Sequence, residues 1–186
     1  MSGEVITLRN AGDVWIDRGK KFFFDTNIVL ILQAPYTNPN SWEARVYSRL
    51  MSKILRLNGK IVINSVVIHE YMQTCVKKLH RELVRGGEVK EDYKGFRTSA
   101  AFEQRAHEAS TSLIRFCQWT EILDTFIRKE DLERHCGEFC SGRIDFPDLM
   151  ILETCRRNSC TLVTHDSDLA FAEDVYWITA NPALAR

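Results

Sequence analysis

The sequence predicts an α/β fold, a mainly parallel sheet of about five strands with helices on both faces, and three observations predict it. Short apolar runs such as FFF at 22–24 and IVI at 61–63 are unbroken rather than alternating, the mark of strands buried on both faces. The intervals between these runs carry apolar residues at helical spacing, and parallel strands require a crossover of that kind. At 186 residues and 45% hydrophobic, the chain has the length and composition of one well-buried domain.

The first strand, Phe22 to Phe24, runs straight into Asp25. That carboxylate stands at the strand's carboxyl end, the edge where open α/β sheets bind ligands; it equally suits the cap of a following helix or an Asx-turn. A polar, turn-rich loop, QAPYTNPNS, follows and ends on Ser41 as a helix N-cap. The helix WEARVYSRLMSKILRL carries Val46, Leu50, Ile54 and Leu57 on one face and Arg45, Arg49, Lys53 and Arg56 on another, until Asn58-Gly59 stops it. KIVINS is the second buried strand. VVIHEYMQTCVKKLHREL is a helix closed by RGGE, FRTSAAFEQRAHEASTSLIRFCQW is another, and EILDTFI is a weaker third strand. KEDLERHCGEFCSG and FPDLMILETCRRNS give two further helices, CTLVTHD a fourth strand and VYWIT an edge strand. One domain over 1–186 is expected, with an N-terminal extension at 1–19 and an extended helical region at about 78–118 that suits a protruding subdomain.

Lys plus Arg and Asp plus Glu both number 25, so no overall basic field advertises nucleic acid. The distribution is uneven: from Ser41 to Arg97 twelve basic residues face six acidic ones, and from Glu121 to Asp174 the sign reverses. Such a chain can hold an anionic polymer along one surface and keep an acidic pocket for metal. Solvated helix faces whose charges never converge give the same pattern. Glu4, Arg9, Asp13, Asp17 and Arg18 leave no apolar core for a signal peptide, and no run approaches a membrane span. The six cysteines read as reduced thiols, and a cytoplasmic protein with no membrane partner is expected.

The informative pattern is that four element ends each carry an acid: Asp25 closes the first strand, Glu70 follows the second, Asp148 opens a late helix beside Asp145, and Asp166 closes the fourth strand with Asp168 behind it. In a parallel sheet these positions share one edge. Each has an ordinary alternative: Glu70 as a surface residue, Asp145 and Asp148 as a capping box, Asp166 and Asp168 as turn residues. Four carboxylates within about 4 to 6 Å repel one another by a few kcal/mol per pair at an effective dielectric near 20, so such a cluster needs a cation. Oxygen donors favour Mg²⁺ or Mn²⁺ over Zn²⁺, and such an ion activates water and neutralises charge in phosphodiester hydrolysis.

The stretches FFFDTNIVL, INSVVIHEY, IDFPDLMILETCRRNSCTLVTHDSDLA and VYWIT, in that order over nearly the whole chain, resemble the PIN-domain nucleases, and among them the toxin ribonucleases of the VapC type. The resemblance implies an α/β/α sandwich and Mg²⁺- or Mn²⁺-dependent hydrolysis of RNA, with one ion or two. It carries the acidic quartet to Asp25, Glu70, Asp148 and Asp166 as catalytic metal ligands and a further ligand to Asp168. Asn27 and Thr164 match polar residues that orient those acids, Thr26 and Ser65 occupy neighbouring polar positions, and Leu169 stands where many members carry phenylalanine. It also implies a homodimer and a protein antitoxin as partner. The chain is longer than compact VapC toxins at its N-terminus, before Ser41 and after Glu70, which bears on the toxin assignment more than on the nuclease. The alternatives are a PIN nuclease of RNA processing and a non-catalytic PIN-like module binding RNA or protein; retention of every acid argues against the latter. A haloacid-dehalogenase-like phosphatase needs an aspartate two places after its nucleophile, where Asn27 stands.

Other signals are plainer. His135, Cys136, Cys140, Cys155 and Cys160 invite zinc, but the spacing is not C-x₂-C, and Leu132, Cys136, Phe139 and Cys140 are expected on a core face. His69 and His165 adjoin predicted ligands, and adjacency turns their side chains away. Trp15, Trp42, Trp119 and Trp177 are expected in core and rim, and Arg156 and Arg157 suit a helix C-terminus. Lys53, Arg56, Lys77, Lys78 and Arg81 are candidates for RNA phosphate contacts.

Overall fold

The computed structural model describes residues 5–8, 16, 18–89, 92–125, 127–167 and 174–184. Its strands are β1 (Val5–Thr7), β2 (Lys21–Phe24), β3 (Lys60–Asn64), β4 (Thr120–Leu123), β5 (Thr161–Val163) and β6 (Trp177–Thr179). They form one sheet in the order β1-β6-β5-β2-β3-β4, and every pairing is parallel. The helices are α1 (Thr26–Gln33), α2 (Trp42–Arg56), α3 (Ser65–Arg85), α4 (Tyr93–Phe96), α5 (Ala100–Cys117), α6 (Lys129–Cys140) and α7 (Phe146–Asn158). Phe22, Phe23, Phe24, Ile61, Val62 and Ile63 are buried on both faces of the interior strands β2 and β3, which is why those runs lack alternation.

The order of strands places the site. From β2 the chain builds outward through β3 to β4, whereas β5 is laid on the other side of β2 and continues to β6. The boundary between β2 and β5 is therefore a topological switch point, where the connections leave in opposite directions and open a crevice at the carboxyl edge.

Three elements differ from the sequence expectation. Where a polar loop is expected after β2, eight residues form α1 before the loop begins. Asp25 caps it, its Oδ1 accepting the Thr26 N–H at 2.6 Å, and Ala34 ends it by taking the extended backbone that Pro35 imposes. This helix is apolar nearly all round because it is packed among α2, α3 and α5, so it lacks the amphipathic period that betrays a surface helix. The strand of VYWIT is not an edge: β6 lies between β5 and β1, and Val5–Thr7, within the expected N-terminal extension, supplies the sixth strand and the sheet margin. The core face expected for α6 is also wrong. Leu132 and Phe139 are 42% and 48% exposed and Cys136 and Cys140 are exposed, while His135 is fully buried.

α6 turns that way because α7 presents a buried carboxylate to it. Glu153 Oε1 accepts from Arg157 Nε at 2.6 Å and Oε2 from an Arg134 guanidinium nitrogen at 3.1 Å, with His135 Nε2 at 3.5 Å. Burial pushes the Glu153 carboxyl up, but the bonds from Arg157 and Arg134 outweigh it and hold the group at about 2.

In the helical region after Glu70, Phe96 is buried among His80, Tyr93 and Phe102. Ala109, Leu113 and Phe116 of α5 join the main core, Phe116 lying 6.3 Å from the Phe24 ring, while Val84 and Arg85 at the far end of α3 are exposed. Trp177 is buried; Trp42 and Trp119 are exposed; Trp15 lies outside the described residues.

Candidate active site

Asp25 is carried to the crevice by β2 and is 3% exposed. Its backbone N–H donates to Val163 O at 3.0 Å, continuing the β2–β5 ladder past the strand end and fixing where the carboxylate begins. Thr164, next on β5, donates its hydroxyl to Asp25 Oδ2 at 2.8 Å and accepts the Asp166 N–H at 3.0 Å. Asn27, in the first turn of α1, donates from Nδ2 to Asp166 Oδ2 at 3.1 Å and more weakly to Asp25 Oδ2 at 3.4 Å. One amide thus bridges the acids on the two sides of the switch point.

The other two acids come from helices. Asn64, at the end of β3, caps α3 by accepting the Val67 N–H at 3.2 Å and donates to the Thr154 hydroxyl of α7 at 3.0 Å. That buried bond sets α3 against α7, so Glu70 and Asp148 face a shared space. The Thr26 hydroxyl holds Glu70 by donating to Oε2 at 2.5 Å. Asp145 occupies the N-cap of α7, yet its side chain makes no capping bond and lines the cavity, which disfavours the alternative of a capping box. Pro147 in the first turn removes one of the N–H groups such a cap would use.

Asp25, Glu70, Asp148 and Asp166 line one cavity of about 890 Å³, with Thr26, Asn27 and Ser65 also in its wall. Ser65 is turned partly elsewhere, its hydroxyl 3.0 Å from that of Thr125. Thr164 acts through Asp25 rather than lining the space. Asp168 lies outside the described residues. Of the candidate phosphate contacts only Lys77 reaches the cavity. Lys78 lies over the Tyr36 ring, 3.7 Å from its centroid, and Arg81 is exposed one turn beyond Lys77. Lys53 and Arg56 are not brought there: the end of α2 leads into β3 and bonds to Gly19 beside the start of β2, at the opposite edge of the sheet. The expectation that adjacency turns His69 away from the site is corrected, since His69 lines the same cavity, and so do Gln73 and Thr74, which the sequence reading missed. Their spacing from Glu70 to Lys77, three and four residues at a time on one helix face, was the available signal.

The electrostatics show strain of one sign. Burial, opposed by the bonds from Thr164 and Thr26 and reinforced by the charges of Asp166 and Glu70, raises Asp25 to about 6. Burial and the charges of Asp25, Glu70, Asp166 and Asp145 raise Asp148 to about 7. A cation among these carboxylates offsets both their burial and their mutual repulsion. Among the described residues no group of three or more His, Cys, Asp or Glu side chains stands close enough together to hold a metal ion as placed. The donors of the cavity are mostly carboxylate, amide and hydroxyl oxygens, with His69 the one ring nitrogen beside them, and such a set suits a hard divalent ion that keeps part of its water shell. The six cysteines are free thiols, and none lines the cavity.

The PIN domain family model matches residues 22–174. PIN domains as a class are nucleases that generally use divalent metals. No curated protein matches the chain. Among solved structures, VapBC2 from Rickettsia felis bound to a promoter DNA fragment is similar at 18% identity and TM-score 0.54, over 86% of this chain and 98% of that one. FitAcB from Neisseria gonorrhoeae is similar at 16% identity and TM-score 0.52, over 84% and 96%, and DNA-bound VapBC from Salmonella typhimurium at 15% and 0.51, over 87% and 98%. The match spans the switch point and all five acids of the cavity, Asp145 included, and the chain belongs to the PIN domain family.

Proposed function

We propose that this protein is a metal-dependent endoribonuclease whose Asp25, Glu70, Asp148 and Asp166 hold Mg²⁺ or Mn²⁺. The observation that carries the reading is that these four carboxylates line one cavity at the switch point, where burial first and the neighbouring acids next raise Asp25 and Asp148. A divalent ion bound there supplies an activated water and neutralises charge on the phosphoryl oxygens. The chain's own residues do the rest. Thr164 and the Thr26 N–H fix the Asp25 carboxylate, Asn27 sets Asp166 relative to Asp25, and the Thr26 hydroxyl keeps Glu70 from swinging into solvent. Lys77, at the cavity wall, attracts the phosphate backbone toward an otherwise acidic site.

Purified protein and Asp25→Asn are incubated with a mixed RNA pool, with Mg²⁺ or Mn²⁺ and with chelator. Cleavage that requires metal and is lost in the variant is expected; cleavage by the variant at the wild-type rate refutes the assignment.

The VapBC2 and FitAcB structures that share the fold support a toxin setting with a protein antitoxin, and a cytoplasmic homodimer is part of the same proposal, carried by the family resemblance. Among the described residues no helix is long and apolar enough to cross a membrane. Induced expression is expected to arrest growth in the wild type and not in Asp25→Asn; equal growth of the two favours an RNA-processing role.

A further inference from the structure

A second cavity, of about 450 Å³, adjoins the acidic one and shares Asn27, Leu30 and Asp166 with it, so the Asn27–Asp166 hydrogen bond forms the boundary between the two. Its size falls in the range of small-ligand pockets. Its floor is apolar and aromatic, from Leu30, Ile31 and Tyr36. Tyr36 is held by the Lys78 ammonium 3.7 Å from its ring centroid.

The polar groups of the wall are mostly committed. Asn181 donates to His165 O at 2.8 Å and accepts the Ala183 N–H at 3.0 Å; His165 Nδ1 lies 2.9 Å from the Tyr47 hydroxyl; Thr37 donates to Leu30 O at 2.8 Å. Glu43 differs. It stands in the first turn of α2, and among the described residues no hydrogen bond or ion pair engages its carboxylate. Among the described residues no Lys or Arg lines the space, and Glu43 and Asp166 both do, so it repels a phosphate. A neutral, flat, amphipathic group suits it, and the neighbour of a phosphate bound at the acidic cavity is a nucleobase.

We propose that this second cavity binds the base flanking the scissile phosphate and selects guanine through Glu43. A carboxylate offers two acceptor oxygens side by side. Only guanine presents two adjacent donors, N1–H and N2–H, on its Watson–Crick edge. Adenine and cytosine present one amino group beside an acceptor, and uracil one N–H between two carbonyls. Glu43 is thus a specificity residue and Tyr36 the stacking surface. The proposal rests on the nuclease reading only for what occupies the neighbouring cavity.

The test separates the two. Fluorescence anisotropy in chelator measures binding of four pentanucleotides, UUNUU with N each base in turn, to the wild type, Glu43→Gln, Glu43→Asp and Tyr36→Ala, each checked for fold by circular dichroism. The wild type is expected to bind the guanine member roughly ten-fold more tightly than the others, as a bidentate contact warrants. Glu43→Gln is expected to bring the four within about two-fold of one another, and Tyr36→Ala to weaken the guanine member most. Equal binding of all four by the wild type, or an undiminished guanine preference in both Glu43 variants, overturns the proposal. Metal-dependent cleavage of a longer RNA with no guanine at the cut sites likewise overturns it and leaves the nuclease standing. Guanine-selective binding without any cleavage does the reverse.

Discussion

Asp25 and Asp148 are held in the folded protein with their carboxyls at about 6 and about 7, both raised from 3.8 by burial first and by the other acids of the cavity next. A raised carboxyl binds its proton more tightly folded than unfolded, so stability falls as pH climbs from 3.8 through those values and the full penalty stands above about 7. Without metal, the melting temperature is therefore expected to drop between pH 5 and 8. Asp148→Asn should flatten that slope and melt higher than the wild type at pH 8, by an amount on the order of 1 to 3 kcal/mol in stability. Millimolar Mn²⁺ should raise the wild-type melting temperature and leave Asp148→Asn nearly unmoved, while the same variant loses roughly 100-fold or more in RNA cleavage. A wild-type melt insensitive to pH in chelator counts against the charge cluster. The same residues show how a local reading and a functional one coexist: Asp25 caps α1 with Oδ1 and presents Oδ2 to Thr164 and Asn27.

At the scale of elements, the α6–α7 contact depends on Glu153, whose carboxyl is kept at about 2 against its burial by Arg157 and Arg134. A depressed carboxyl contributes stability that is present above its ordinary 4.5 and is lost as pH falls toward 2. Glu153→Gln removes the charge that Arg134 and Arg157 share beside buried His135, and a loss of about 3 kcal/mol is expected in urea unfolding at neutral pH. A loss below about 1 kcal/mol would show that these ions are solvated in solution. The junction of α2 with β3 depends on close approach: a Cβ at Gly59 would lie 2.9 Å from Ile54 Cγ2 and 3.2 Å from Phe22 Cε2. Gly59→Ala is expected to cost about 1 to 3 kcal/mol in the same measurement without altering the carboxyl edge of the sheet.

For the whole molecule, the basic stretch between Ser41 and Arg97 is divided by the fold. Lys77 lines the acidic cavity with Arg81 one turn along α3, whereas Lys53 and Arg56 end α2 at the other edge of the sheet. Each phosphate contact on single-stranded RNA contributes about 0.7 to the slope of log affinity against log salt. Lys77→Ala with Arg81→Ala is expected to lower that slope by about 1 to 1.5, and Lys53→Ala with Arg56→Ala to leave it unchanged. Equal effects of the two pairs would mean that RNA binds by net charge rather than along α3.

The sequence by itself determined the parallel sheet, the buried strands β2 and β3, and that four acids follow strands or stand in the first two turns of helices, because burial on both faces and the position of a carboxylate after a strand are local properties. It did not show α1, since a helix packed on several sides has no polar face to mark its period. Nor did it show that Val5–Thr7 flanks β6, or that α6 buries His135 rather than Leu132 and Phe139, because each depends on a partner distant in the chain: Trp177–Thr179 for the strand, Glu153 for the helix. Only the tertiary structure decided that Lys77 and not Lys53 meets the acids, and that Glu43 overlooks a second cavity beside them. Periodicity assigns a residue to a face; the strand order and helix packing decide what that face meets.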